Sequence, residues 1–426
     1  MRFGTGSYNV RHSEGLNPDT LRNTSNSKHT LSCTIYFLDD TERSFTIEKS
    51  AIGQEILDKV FEHLELVERD FFGLQFLSFL DSQAEHPRMR WLDAQKSIKK
   101  QMVCPPFHLY FRVKFYVSDP SKLAEEYTRY HFFLQVKRDL LEGRLICPES
   151  SAALLGSYAI QSEFGDYNVN EPDDNSYSDN FKIIPNQSTD LNRQIKELHK
   201  LHSGQTPAAA EYNFLDHAKR LDMYGVDLYE ATLDDGIQLL VGVNSYGICL
   251  FQNTQKINAY PWCSIMKLTF KKKIFNVVIR ILNDVNEEED KVFCFHVITS
   301  QSCKLLWKSC IEHHTFFRLI APPIPPPKSF FSLGSRYRYS GRTEFQTMEE
   351  MKRRARVERA FMRANSRNNF GRATVTGVGG HSCNSSTRQN SLGQIDEGHY
   401  NNFDTTTFDD ADGGEYNLKG NGNNFK

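Results

Sequence analysis

Few residues in this sequence have both the types and the spacing that chemistry on a substrate would need. The adjacent pair His313 and His314 comes nearest, because imidazole is the commonest metal ligand in proteins. Neighbouring residues on a helix point about 100° apart, so the pair cannot hold one ion without further ligands. With one ring expected to face the core and the other to face out, we interpret both histidines as structural.

Other signatures of catalysis or metal binding are absent from the sequence. There is no GxxxxGK[ST] phosphate loop, no GxSxG nucleophile elbow, no HExxH zinc motif and no GxGxxG loop after a strand. The nine cysteines are scattered, without the clustered spacing of a disulfide framework or a zinc site, which favours reduced thiols. The sequence therefore predicts a protein that is not an enzyme and needs no cofactor or metal.

The net charge of −2 hides opposing blocks of charge. Residues 328–372 carry twelve lysines and arginines against four acids, whereas residues 395–426 carry seven acids against two lysines. Hydrophobic residues make up 39% of the chain, which is enough for folded cores. No apolar run of about 18 residues and no apolar N-terminal segment occurs, so we expect a protein that is neither secreted nor membrane-spanning.

The elements that must position any site fall into blocks of different apolar period. Residues 1–29 are polar and rich in Asn, Ser and Thr, which predicts disorder. Within residues 30–117, apolar residues that alternate from Leu31 onward predict a strand, and the spacing over residues 56–64 predicts an amphipathic helix. A hairpin, a helix and further strands in one short block are typical of a small α+β roll of the ubiquitin type.

Residues 118–218 have a helical period. One helix is expected to end at Gly143, and two more are expected over residues 150–164 and 191–201. A fourth is expected to begin at Thr206, because Thr followed by Pro is a helix-start signal. This block is predicted to be all-helical.

In residues 219–320 the apolar period returns to two. The predicted strands cover residues 226–231, 237–243, 247–251, 259–262, 265–270, 274–281 and 292–298. One long helix over residues 302–317 follows, with an inward stripe of Cys303, Trp307, Cys310, His314 and Phe317. Seven short strands closed by one helix are typical of a PH/PTB-type barrel. Residues 321–372 are interpreted as a proline linker with a basic segment, and residues 373–426 as a disordered polar tail with an acidic end.

These blocks carry motifs that resemble the FERM domain of the band 4.1 superfamily. The motifs are FFGLQ at 71–75, WLD at 91–93, RLICP at 144–148, ALLGSYAIQSEFGDY at 153–167, RLDMYGVDLY at 220–229, LVGV at 240–243, INAYPW at 257–262 and LWKSCIEHHTFFRL at 306–319. LGSRYRYSGRT at 333–343 resembles the FERM-adjacent segment of band 4.1 proteins. The resemblance implies a multi-domain α+β fold of three FERM lobes: a ubiquitin-like roll, an all-helical bundle like acyl-CoA-binding protein, and a PH/PTB-like barrel, with disordered termini.

The resemblance also implies a function. It implies a membrane-peripheral adaptor that binds cytoplasmic tails of transmembrane proteins and inner-leaflet phosphoinositides and links them to the cortical cytoskeleton. Actin or spectrin, PDZ scaffolds and calmodulin are further implied partners, whereas nucleic acid is not. The implied location is the cytoplasm, the cell cortex at the cytoplasmic face of the plasma membrane, the cytoskeleton and cell junctions.

The alternative that the resemblance leaves open is the targeting module of a FERM-containing tyrosine phosphatase family, without the catalytic domain in this chain. Cys383 stands five residues before Arg388, the spacing of a phosphatase loop. These residues lie in a Gly/Ser-rich tail, however, and a reactive thiol needs a folded domain to lower its pKa. We therefore expect no catalytic role for this cysteine.

Candidate binding residues follow from the family's known surfaces. Convergent cations could hold a phosphoinositide headgroup, although Asp93 replaces a cation of the ezrin-like pattern and weakens this site. The candidates are Lys96, Lys99, Lys100, Lys271, Lys272 and Lys273. An extended peptide could add to a strand of the barrel beside its helix. The candidates there are Ser264, Ile265, Met266, Lys267, Leu268, Thr269, Phe270, Lys304 and Lys308.

The basic segment offers two further candidates. Residues 352–363 could form an amphipathic helix that binds calmodulin or anionic lipid. Arginine three positions upstream marks Ser366 and Ser391 as kinase sites. Phosphate there would reduce the basic charge and weaken the attraction to a membrane.

Overall fold

The computed structural model of the protein describes residues 29–78, 88–102, 104–168, 181–282, 287–323, 337–354, 360–364 and 413–417. The chain divides into two compact units, Met1–Arg112 and Val113–Lys426. Among the described residues, no helix is both long and apolar enough to cross a membrane. The predicted disorder of the first 28 residues concerns positions outside the described part of the chain.

The first unit is a five-stranded sheet with one principal helix packed on it. Its elements are β1 (Thr30–Tyr36), β2 (Glu42–Glu48), α1 (Gly53–Leu64), β3 (Phe72–Ser78), β4 (Arg88–Trp91), α2 (Ile98–Gln101) and β5 (Phe107–Val113). The strand order is β2-β1-β5-β3-β4, with β1 antiparallel to β2 and parallel to β5. This mixed sheet is the ubiquitin-type roll that the sequence predicts.

Alternation and helical period place the core of this roll as expected. Cys33 and Ile35 on β1 are fully buried, as are Ile56 and Val60 on α1. Gly53 begins α1 where a Cβ would stand 2.5 Å from the carbonyl oxygen of Asp93, so only glycine lets the helix start this close to that loop.

The second unit begins with a helical bundle. Its helices are α3 (Glu126–Leu141), α4 (Glu149–Phe164), α5 (Thr189–His199) and α6 (Pro207–Ala218). The Thr206 hydroxyl caps α6 by accepting from the Ala209 amide at 3.3 Å, which confirms the predicted start. Helix α5 ends at His199, two residues earlier than predicted, and a 3-10 turn follows over Lys200–His202.

The third part is an antiparallel barrel closed by one helix. Its elements are β6 (Asp227–Leu233), β7 (Gln238–Val243), β8 (Gly247–Gln252), β9 (Gln255–Pro261), β10 (Ile265–Lys271), β11 (Ile274–Leu282), β12 (Glu288–Val297) and α7 (Ser300–Arg318). The strand order is β10-β11-β12-β6-β7-β8-β9, and Trp307 of α7 lies fully buried against the core of the barrel. All seven predicted strands are present.

Two of these strands, β9 and β12, begin four residues earlier than the apolar pattern predicts. The first four residues of β9 are exposed, and three of them are polar, so they show no alternating apolar pattern. β12 begins at Glu288, inside a stretch that the sequence suggests is an acidic turn. Those acids pair across the sheet instead, because Arg280 donates to Asp290 at 2.7 Å and to Glu288 at 3.1 Å.

Helix α7 departs from the prediction of a single inward stripe. Cys303, Trp307 and Cys310 face the core as expected, but both His313 and His314 are buried, whereas one was expected to face out. The reason is a second layer on the outer face of the helix. Phe115, just after β5, stacks on Phe316 with ring centroids 4.2 Å apart.

Glu312 anchors this second layer as a buried carboxylate on α7. Lys114 forms an ion pair with it at 3.0 Å, Lys308 lies at 3.9 Å, and the Tyr337 hydroxyl donates to it. Burial alone would raise the pKa of Glu312, but the two lysines and the hydroxyl bring it below the ordinary value.

The segment after the barrel folds back on the second unit through α8 (Glu344–Arg353). Thr343 caps α8, and its hydroxyl also donates to the carbonyl of Ile320 at 2.9 Å. Lys122 pairs with Glu344 at 2.9 Å. The amphipathic helix considered for residues 352–363 falls partly on positions outside the described residues. α8 ends at Arg353, and residues 360–364 are not helical, because they are held by contacts with the bundle that are described below.

Breaking the Glu312 cluster should destabilise the second unit. Lys114→Met leaves the carboxylate buried with one ammonium fewer, so we expect the unfolding free energy to fall by about 2 kcal/mol, since Lys308 remains. Urea unfolding followed by tryptophan fluorescence measures this. The double variant Lys114→Met/Glu312→Gln removes the buried charge as well and should regain most of the loss. Equal instability of the single and double variants would contradict the role of the charge.

The burial of His314 should make stability depend on pH. Burial lowers its pKa to about 3, so between the ordinary value of about 6.5 and that value only the unfolded chain binds the proton. Stability is therefore lost as the pH falls. Between pH 7 and pH 5 the wild type should lose about 2 kcal/mol more than His314→Gln, in which the other buried histidines are unchanged. Parallel urea titrations at both pH values test this, and identical losses would refute it.

Candidate peptide-binding edge and basic surfaces

The β10 strand is the last barrel strand on its side of the sheet, and a segment from near the end of the chain pairs with it. This segment is β13 (Gly413–Asn417), which runs antiparallel to β10. The register places Lys271 opposite Gly413 and Leu268 opposite Tyr416. The free edge of the barrel therefore accepts an extended chain as an added strand, through main-chain pairing.

Tyr416 is the one side chain of β13 that the structure describes, and it packs against the core of the barrel. Its hydroxyl lies 3.3 Å from Nδ1 of His314 and 3.3 Å from the hydroxyl of Thr315, both on α7. The His314 ring lies edge-on to Tyr416 and to Trp262. Burial raises the pKa of Tyr416, so the neutral phenol is the bound form.

The neutrality of His314 suits this pocket. Because its pKa is lowered to about 3, the imidazole is uncharged at neutral pH and has one nitrogen that can accept a hydrogen bond. Tyr416 can thus donate to His314 while it accepts from Thr315. The pocket combines an apolar wall with a small polar end, which is suited to an aromatic hydroxyl.

The predicted groove residues divide between the inside and the outside of the barrel. Ile265, Leu268 and Phe270 are buried in the core, so an added strand meets only their main chain. The remaining predicted groove residues of this stretch, Ser264, Met266, Lys267 and Thr269, are partly exposed. The structure also places on this strand two residues that contact β13 at its ends, Lys267 and Lys271.

The two predicted groove lysines Lys304 and Lys308 both lie on α7. Lys308 stands 4.5 Å from the Tyr337 ring and near Glu312, so it belongs to the second layer on the helix. Lys304 is partly buried. The pocket residues that the sequence analysis missed are Trp262, Thr315 and Tyr416. Tyr416 is one of five aromatic residues in the polar tail of residues 373–426, so the sequence alone does not single it out.

The Lys271–Lys273 run occupies the hairpin between β10 and β11. Lys271 ends β10, and Lys272 and Lys273 make the two-residue turn, with Lys272 in the left-handed region at φ 52°. All three side chains are exposed. The turn holds three lysines together at one end of the barrel, beside the point where β13 begins.

The predicted lysines of the first unit are also exposed. Lys99 and Lys100 lie on α2, and Lys96 precedes it. Lys96 pairs with Asp93 at 3.9 Å, so the acid that departs from the ezrin-like pattern also partly neutralises its neighbour. The Lys96 side chain is 53% exposed, so this pair contributes little to stability.

Burial raises the pKa of several thiols, so they stay protonated and are poor nucleophiles. Burial raises the pKa of Cys33 to about 11 and that of Cys303 to about 12. The Cys383–Arg388 stretch and the candidate phosphorylation sites Ser366 and Ser391 lie outside the described residues.

One polar cluster was not anticipated from the sequence. Asp234, Cys294 and His296 bring their ligand atoms within 4.8 Å of one another at the meeting of β6 and β12. His296 hydrogen-bonds to Asp234 at 2.7 Å, and both residues are exposed. These mutual hydrogen bonds account for the cluster without an ion.

Comparison with known families follows the same division of the chain. Residues 35–104 match the FERM N-terminal domain, residues 118–229 the FERM central domain and residues 234–325 the FERM C-terminal PH-like domain. Residues 329–372 match the FERM-adjacent domain.

Individual relatives agree with this assignment. Tyrosine-protein phosphatase 1 of Caenorhabditis elegans is 44% identical over 382 residues, which are 88% of this chain and 36% of that protein. Protein 4.1 of Bos taurus is 42% identical over 317 residues, which are 74% of this chain and 50% of that protein. The chain thus spans between about a third and a half of the length of these relatives.

Among solved structures, the crystal structure of the FERM and C-terminal domain complex of Drosophila Merlin matches with a TM-score of 0.59 and 25% identity. The match covers 67% of this chain and 96% of that one. The roll, the bundle and the barrel therefore recur in the same order in sequence and in structure. This chain belongs to the FERM family, with a FERM-adjacent segment of the band 4.1 type after its third lobe.

Proposed function

We propose that this chain is a non-enzymatic adaptor whose C-terminal lobe binds cytoplasmic tails of transmembrane proteins as strands added to β10. The observation that supports the proposal is the pairing of β13 with this strand. Main-chain hydrogen bonds to β10 can form with an extended peptide of any sequence. The pocket of Trp262, His314 and Thr315 adds a preference for an aromatic residue. A ligand tail must therefore displace the chain's own β13 segment.

We further propose that the Lys271–Lys273 hairpin binds anionic phosphoinositides at the inner leaflet. Three exposed lysines on one tight turn give a concentrated positive charge, and clustered cations near a membrane attract anionic headgroups. Lys96, Lys99 and Lys100 of the first lobe are the second candidate contribution. Lipid and peptide would then be bound by adjacent parts of one strand.

A location at the cell cortex and a link to the cytoskeleton complete the proposal. They are supported by the likeness to Protein 4.1 and to Merlin, and by the FERM-adjacent segment. Actin or spectrin, PDZ scaffolds and calmodulin are the proposed further partners. Lys352, Arg353 and Arg354 are exposed at the end of α8, where an acidic partner such as calmodulin would contact them.

A second candidate function is the targeting module of a tyrosine phosphatase. The similarity to the Caenorhabditis elegans tyrosine-protein phosphatase extends over 382 residues, against 317 for Protein 4.1. Long-read sequencing of transcripts that contain this coding sequence separates the two. A transcript that continues into a phosphatase domain favours the second candidate, and one that continues into an actin- or spectrin-binding segment favours the first.

Lipid binding can be tested on the full chain with the triple variant Lys271→Ala/Lys272→Ala/Lys273→Ala. Each lysine near an anionic surface contributes about 1 kcal/mol, so affinity for vesicles with phosphatidylinositol bisphosphate should fall about a hundredfold. Sedimentation with vesicles at two salt concentrations measures it. The matched triple arginine variant keeps the charge and should bind like the wild type. Unchanged sedimentation of the alanine variant would contradict lipid binding by the Lys271–Lys273 hairpin.

Peptide binding can be tested by opening the edge in the full chain. Tyr416→Ala removes the side chain that fills the pocket, so a labelled peptide of residues 410–420 should bind this variant at least about tenfold more tightly than the wild type. Fluorescence anisotropy gives both affinities. A control peptide with alanine at the tyrosine position should not bind. Equal affinity of the two peptides would show that the pocket does not select an aromatic side chain.

A further inference from the structure

The central lobe holds a second segment from late in the chain, residues 360–364. Arg363 donates from Nε to Oε1 of Glu211 at 2.6 Å and from Nη2 to Oε2 of the same carboxylate at 3.0 Å. Its Nη2 also donates to Oε1 of Glu126 at 2.6 Å. Glu126 begins α3 and Glu211 lies on α6, so one guanidinium joins two helices of the bundle.

Glu211 is an unusual carboxylate, because only 1% of its side chain is exposed. Burial raises its pKa, and Arg363 opposes that shift. The Ser162 hydroxyl donates a further hydrogen bond at 2.9 Å. A helical bundle does not need a buried acid for its own packing, and a buried charge is costly unless it is paired. Among the described residues, Glu211 is paired by Arg363, which lies 152 positions further along the chain.

Aromatic side chains complete the pocket. Phe361 packs on Tyr127 and Tyr130 with ring centroids 4.9 and 5.4 Å away. The Arg363 guanidinium lies 5.6 Å above the Tyr130 ring. The amide of Ala364 donates to the Tyr130 hydroxyl at 2.8 Å, which fixes the main chain as well.

The segment lies in the pocket as an extended chain would. Phe361 and Arg363 contact the lobe, whereas Met362 between them is 91% exposed. Residues two apart therefore face the protein, the period of extended backbone. The pocket therefore binds an aromatic residue and an arginine two positions apart.

We propose that the central lobe carries a docking site for an extended peptide of the form aromatic-x-Arg, formed by Glu126, Tyr127, Tyr130, Ser162 and Glu211, and that the chain's own residues 360–364 occupy it. The planar guanidinium of Arg363 donates to both carboxylates at once. A lysine ammonium is a point charge and could not bind both in this geometry. Docking holds the basic FERM-adjacent segment against the lobe. The proposal is independent of the peptide edge on the C-terminal lobe.

The test uses the full chain with the site emptied by Phe361→Ala/Arg363→Ala. A labelled peptide of residues 357–367 should bind this variant with measurable affinity and bind the wild type at least about tenfold more weakly, because the tethered segment competes at a high effective concentration. The same peptide with lysine at the position of Arg363 should bind at least about tenfold more weakly. Adding Glu211→Gln to the emptied chain should abolish binding.

Several results would overturn the proposal. They are no binding to the emptied chain, equal binding to the emptied chain and the wild type, or binding that Glu211→Gln leaves unchanged. If the Glu211→Gln chain fails to fold, amide hydrogen exchange on the wild type decides. The Ala364 amide should be protected in the wild type and lose protection in Arg363→Ala, while α8 amides stay protected. A fast Ala364 amide in the wild type would refute docking.

Discussion

A buried carboxylate, that of Glu312 on α7, is the point on which the arrangement of the second unit depends. Lys114 approaches it from the chain that leads into the bundle, Lys308 from the same helix, and Tyr337 from the segment after the barrel. An ion removed from water is tolerated only when such partners stay in place. The bundle, the barrel and the FERM-adjacent segment therefore keep their positions together, and the outer face of α7 cannot be solvent-exposed.

Two surfaces of the second unit are completed by residues from late in the chain. β13 pairs with β10 of the barrel, and Arg363 compensates Glu211 of the bundle. The first contact is made mainly by the backbone and so tolerates many sequences, whereas the second depends on one guanidinium. Under the proposed function, binding of a strand ligand at β10 would tolerate many sequences, whereas docking on the bundle would require an arginine.

The order of the lobes could be predicted from the sequence because each buries a face with its own period. The pattern predicts β1 and α1 well, since their apolar residues point to a single core, and the Thr-Pro signal predicts the start of α6. It misses the start of β12, where Glu288 and Asp290 are exposed and paired with Arg280. The pattern also predicts an exposed outer face for α7, which is in fact buried. That face is covered by Phe115, which lies about 200 residues away in sequence, and local periodicity cannot show such a distant contact.

The candidate sites were predictable to different degrees, because the sequence pattern shows local features but not contacts between distant residues. The lysine run and the strand before it are local features, and the family resemblance points to both. The pocket for Tyr416 and the docking of Arg363 each join residues more than 100 positions apart, so neither leaves a pattern in the sequence. Residues 360–364 are not helical for the same reason, since contact with the bundle outweighs local helix propensity.

The pairing of β13 with β10 also bears on how copies of this protein behave together. An uncovered edge strand is a template for any other extended chain, including one from a neighbouring molecule. A tail that reaches its own barrel can reach a second barrel when the concentration is high, and reciprocal exchange would give a domain-swapped dimer. The short strand β13 covers the edge of β10 along which two such sheets would otherwise join.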